Sequence, residues 1–148
     1  MRPVLLFAVL LSLVSLAASQ ALADDEGKPF AEARIVLQMG DGDAETQTRV
    51  LNVANNLIKH YGGPDFVDIE IVAYGPGLSL LFPGNANAER IASLLANDVR
   101  FVGCMNTVES IERATGKRPD LIPEAIPVKT GVARLVERAQ QGFVVIRP

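Results

Sequence analysis

From residue 34 onward the chain alternates between two hydrophobic periods, and that alternation restricts its fold more than any other feature. The run RIVLQM at 34–39 is short and apolar and stops at Gly40-Asp41-Gly42-Asp43. Val50, Val53, Ala54, Leu57, Ile58 and Tyr61 then recur at helical spacing, with Asp43 placed to cap the helix and Gly62-Gly63-Pro64 to end it. Val67, Ile69, Ile71 and Ala73 alternate with Asp68 and Glu70, which predicts a second strand with one wetter face. Asn87 is positioned to cap a helix carrying Ile91, Leu94 and Leu95. A third strand is expected at 99–103. Asn106 followed by Glu109 resembles a capping box opening a helix to about Thr115. Residues 125–128 read as a short fourth strand. Thr130 caps a helix bearing Val132, Leu135, Val136 and Ala139, stopped at Gly142, and 143–146 (FVVI) is the last strand.

Strands that alternate with helices pair in parallel through crossover helices. The expected fold is therefore a three-layer α/β/α sandwich with a five-stranded, mainly parallel sheet. In such sheets ligands collect beyond the carboxyl ends of the strands. Residues 40–43, 75–87, 103–106 and 129–131 are predicted to meet there.

The N-terminus reads as an address. Arg2 precedes an apolar stretch at 4–18, and Ala21-Leu22-Ala23 follows as a small-x-small cleavage pattern. The stretch is shorter than the roughly 18–20 residues that a spanning helix needs. Residues 1–23 are therefore expected to be a cleaved signal peptide, 24–32 an acidic flexible leader and 33–148 a single domain. The expected location is across the inner membrane, in the bacterial periplasm. With 14 basic and 17 acidic residues the formal net charge is −3, and no basic stripe appears. Neither nucleic acid nor, after cleavage, a membrane surface is an expected partner.

Against that address the single cysteine stands out. Cys104 falls at the end of the third strand, beside a helix start whose unpaired N–H groups favour thiolate over thiol. Strand-end placement also argues against full burial, although a lone cysteine on a strand can equally be a small core hydrophobe. Lys129, at the end of the fourth strand, could lend positive charge. The GDGD stretch reads as a turn and helix cap, since its aspartates would repel a phosphate. The one histidine, His60, has no Cys or His companion for a metal site, and no cofactor is expected. Leu78, Leu80, Leu81 and Phe82 are too apolar for a bare loop. They either form a short helix over the core or serve a pocket or subunit interface, with Leu78, Leu81 and Phe82 as the candidates.

Several segments in order, RIVLQMGDGD, VDIEIVAYGPGLSLL, VRFVGCMNT, IPVKTGVARL and QQGFVVIRP, resemble the DsrE/DsrF-like family, in its small exported single-domain branch. The likeness runs from about Ala33 to Pro148. It implies a sandwich of the DsrE-like, flavodoxin-like class and assembly into homotrimers or hexamers. It also implies a thiol, Cys104, that carries sulfur as a persulfide. The resulting expectation is an exported sulfur-carrier or sulfurtransferase-like protein, with Asn106 and Lys129 supporting the thiol. Its sulfur donor and acceptor are open. The alternative is a non-catalytic oligomeric binding module with a structural cysteine.

Overall fold

A computed structural model of the chain describes residues 27–148. The expected signal segment and the first residues of the leader lie outside the described residues. Five strands, β1 (Ala33–Met39), β2 (Val67–Ala73), β3 (Arg100–Cys104), β4 (Ile126–Val128) and β5 (Val144–Ile146), form one sheet in the order β4-β3-β2-β1-β5. Every neighbouring pair is parallel. Helices α1 (Ala44–His60), α2 (Ala88–Leu95), α3 (Met105–Thr115) and α4 (Gly131–Gln140) connect them, as the alternating periods predict.

The order fixes the layers. The steps β1 to β2, β2 to β3 and β3 to β4 all move in one direction, so right-handed crossovers put α1, α2 and α3 on one face. The final crossover runs back across the sheet to β5 and puts α4 on the other. Two apolar clusters follow. The larger lies under α1–α3 and includes Leu37, Ile71, Phe101 and Val108. The smaller, under α4, holds Val36, Val72, Val102, Leu135 and Phe143.

The α4 side departs from the sequence reading. No residue of β2 faces water: Asp68 and Glu70 are fully buried. The alternation of apolar and acidic residues marks the two faces correctly, but α4 covers the acidic one. It does so with arginines, because Arg134 and Arg138 turn inward while Val132 and Val136 are about half exposed, at 52% and 53%. Glu70 accepts from Arg134 Nε at 2.7 Å, from Arg138 Nε at 2.9 Å and Nη2 at 2.8 Å, and from Arg100 Nε at 3.3 Å. Burial pushes the Glu70 carboxyl up, and the Arg134 and Arg138 bonds and charges more than offset it, so its pKa lies below the ordinary value. Arg100 Nη2 also approaches Asp68 Oδ1 at 2.8 Å. That approach is an ion pair without hydrogen-bond alignment, leaving both Asp68 oxygens and this nitrogen without a hydrogen-bond partner among the described residues.

The connection after β2 is a 3-10 helix, Gly75–Leu81, and Leu78, Leu80 and Leu81 are wholly buried within this chain's own core. Of the two readings of this segment, the short helix over the core is the one found, and Leu78 and Leu81 are withdrawn as interface or pocket candidates. The helix sits so close to β1 that a Cβ on Gly77 would lie 2.2 Å from the Met39 carbonyl oxygen.

Candidate functional site

The β3/β4 junction is where the topology reverses. β3 feeds α3 on one face and the adjacent β4 feeds α4 on the other, the kind of carboxyl-end junction at which ligands collect in parallel sheets. Both helix N-termini converge on it, and Cys104 stands between them. As the last residue of β3 it pairs with Val128 of β4. It is also the N-cap of α3, with no loop between strand and helix.

That geometry corrects the expected cap. Asn106 is the second residue of α3, not its cap, so no capping box with Glu109 forms. Its N–H bonds the Lys129 carbonyl at 3.0 Å and its side-chain amide donates to Thr130 Oγ1 at 3.0 Å. Asn106 thus ties the start of α3 to the start of α4. Asn87, likewise, caps α2 through its backbone carbonyl alone, its side chain making no cap bond. Asp43 caps α1 as expected, accepting from the Thr46 N–H at 2.8 Å.

Cys104 is 5% exposed, more buried than its strand-end position predicts, yet it belongs to neither apolar cluster. Burial by itself pushes the thiol pKa up. The Thr107 hydroxyl and the N–H groups of Gly131 and Thr107 outweigh it, with a smaller pull from the Asn106 N–H, and the net shift is downward. The side chain makes no cap hydrogen bond, so these groups act as neighbouring dipoles whose pull grows with charge on sulfur. Thr107 is oriented for its part: its oxygen accepts from the Gly75 N–H at 2.9 Å, leaving the hydroxyl proton free for Sγ. Gly131 brings α4 close because it lacks a side chain. A Cβ there would meet Tyr74 Cβ at 3.0 Å and Cys104 Cβ at 3.2 Å. Tyr74 in turn accepts through its hydroxyl from the Gln38 side-chain amide.

Lys129 enters through its backbone. Its carbonyl lies 3.9 Å from Sγ, where it accepts from the protonated thiol, while its side chain is exposed and is not among the groups that favour the thiolate. Phe82 is half buried and lines a cleft of about 340 Å³ between the 3-10 helix and α3, which reaches the site through Thr107. Thr107, whose hydroxyl does most among these groups to favour the thiolate, has no mark in the sequence reading, although CMNT already places a hydroxyl three residues after the cysteine. His60 packs edge-on against Tyr61 at 4.9 Å, and among the described residues no cluster of His, Cys, Asp and Glu could hold a metal.

No family model matches the chain, and no curated protein matches it. Among solved structures it is similar to MTH1491 of Methanobacterium thermoautotrophicum, a protein of unknown function, with 29% sequence identity and a TM-score of 0.69. The match covers 79% of this chain and 100% of that one, and it supports the same α/β fold across the domain.

Proposed function

We propose that this protein is an exported sulfur carrier in which Cys104 holds sulfur as a persulfide. The observation that carries the reading is the surrounding of one sulfur by a hydroxyl and by N–H groups from two helix N-termini, which together lower the thiol pKa despite burial. The likeness of the segments around Cys104 to the DsrE/DsrF-like family points the same way. The thiolate attacks the outer sulfur of a persulfide or polysulfide; a Cys104 S–S bond forms, the donor's S–S bond breaks, and the donor leaves as a thiolate or as a polysulfide one sulfur shorter. A nucleophilic acceptor then takes the outer sulfur and returns the Cys104 thiolate. No external oxidant is consumed. The donors that favour the thiolate favour equally its role as leaving group in the second step. In this reading the chain works as a homo-oligomer, for which the exposed valines of α4 offer apolar surface.

Incubating the protein with polysulfide should add one sulfur atom, removable by dithiothreitol and absent in Cys104→Ser. The loaded protein should pass that sulfur to cyanide faster than a small persulfide at equal concentration. If labelling occurs only after denaturation, sulfur transfer is excluded. The second reading, a binding module with a structural cysteine, then applies, and the 5% exposure of Cys104 is the observation that favours it.

A further inference from the structure

We propose that Glu70 is a positioning residue for Cys104, acting through α4. The inference rests on the reading of Cys104 as a working thiolate and extends it to what holds the site together. Among the large apolar side chains of α4 only Leu135 is buried; Val132 and Val136 face outward. Asn106 ties the start of the helix, and along its length a buried carboxylate grips two of its arginines one turn apart. Glu70 takes Arg134 through both oxygens, at 2.7 and 3.1 Å, and Arg138 through Nε and Nη2 at 2.9 and 2.8 Å. Arg138 is itself clamped from the other side, its guanidinium 4.9 Å from the centre of the Phe143 ring and bonded to Gln141 at 2.7 Å. Arg100 of β3 completes the charges around Glu70 and links it to Asp68 on the same strand.

One turn before Arg134, the same helix begins at Gly131, packed so closely on Tyr74 and Cys104 that an added Cβ would lie 3.0 Å from Tyr74 Cβ and 3.2 Å from Cys104 Cβ, and its N–H is among the groups that favour the Cys104 thiolate. A helix is stiff over that distance, so what fixes Arg134 and Arg138 also fixes the Gly131 N–H. With few apolar contacts to keep α4 in register, loss of the carboxylate charge lets the helix shift and withdraws a donor from the sulfur. The other donors, Thr107 and Asn106, belong to α3 and stay in place. Glu70 touches neither sulfur nor substrate.

The test is the titration midpoint of the Cys104 thiolate, followed by ultraviolet absorbance in the folded protein, for the parent, Glu70→Gln and Arg138→Lys. A midpoint is required rather than a rate, because a loosened helix also changes access to the sulfur. Removing one donor to a charged group should move the midpoint upward by about one on the pH scale in Glu70→Gln. Arg138→Lys, which keeps the charge and loses the forked grip, should move it in the same direction by less. If Glu70→Gln does not fold, Arg138→Lys decides alone. Folded variants that titrate with the parent overturn the proposal, whatever the sulfur-transfer assay gives. A parent that fails to transfer sulfur while the midpoints move overturns the carrier reading and leaves the positioning role standing.

Discussion

Cys104 is held by neighbours that a sequence displays unequally. Its place at a strand end beside a helix start was legible, because the apolar run VRFVG stops where helical spacing begins. Its cap role was not, since strand and helix abut without the polar residue that normally marks a boundary, and the reading moved the cap to Asn106. The charge of Lys129 makes it conspicuous in the sequence, whereas the fold uses its carbonyl. We expect Thr107→Val, which keeps the shape and removes the hydroxyl, to raise the thiol pKa, slow alkylation near neutral pH, and lower the melting temperature modestly because the Gly75 N–H loses its acceptor. The folded thiol titrates below its ordinary 9.0, so deprotonation favours the folded state. That stabilisation is complete above about pH 9 and is lost as the pH falls through the folded value. Denaturant unfolding of the parent and Cys104→Ala at a series of pH values should show their difference growing in the parent's favour over that window.

At the scale of elements, the faces of β2 and α4 show where hydrophobic pattern misleads. Asp68 and Glu70 alternate with apolar residues as a solvated edge would, and Val132, Leu135, Val136 and Ala139 look like an inward stripe. Each error explains the other: acids on the sheet select arginines on the helix, and the valines are turned outward. Breaking a buried pair leaves uncompensated charge, so Glu70→Gln should cost roughly 3–5 kcal/mol in unfolding free energy. Because the Glu70 pKa is depressed, its contribution is present above the ordinary carboxyl value of 4.5 and lost as the pH falls through the folded one. An acid-unfolding series should therefore be steep there for the parent and flatter for Glu70→Gln. The 3-10 helix was legible as one of two options, because three leucines in a turn-rich connection must be covered by something. Gly77→Ala, which drives a methyl into the Met39 carbonyl, should destabilise the fold strongly, as read by thermal melting.

The whole molecule makes the site by reversing direction once. The alternation of periods gave away the parallel sheet, but nothing local to β4 or β5 tells that the last crossover returns past β1. That return alone puts two helix N-termini at one sulfur. Leu81 lies in the core of the single chain, so Leu81→Ala should cost about 2–5 kcal/mol of stability rather than dissociate subunits. On the homo-oligomer reading proposed above, Val132→Lys with Val136→Lys should leave the fold intact and shift sedimentation toward a monomer. The convergence of the two helix ends on Cys104 is tested most directly by titrating its thiolate in the native protein and in the same chain unfolded in denaturant. We expect the native midpoint to lie clearly below the unfolded one. A native midpoint equal to or above it would make Cys104 a buried, inert sulfur and contradict the site as described.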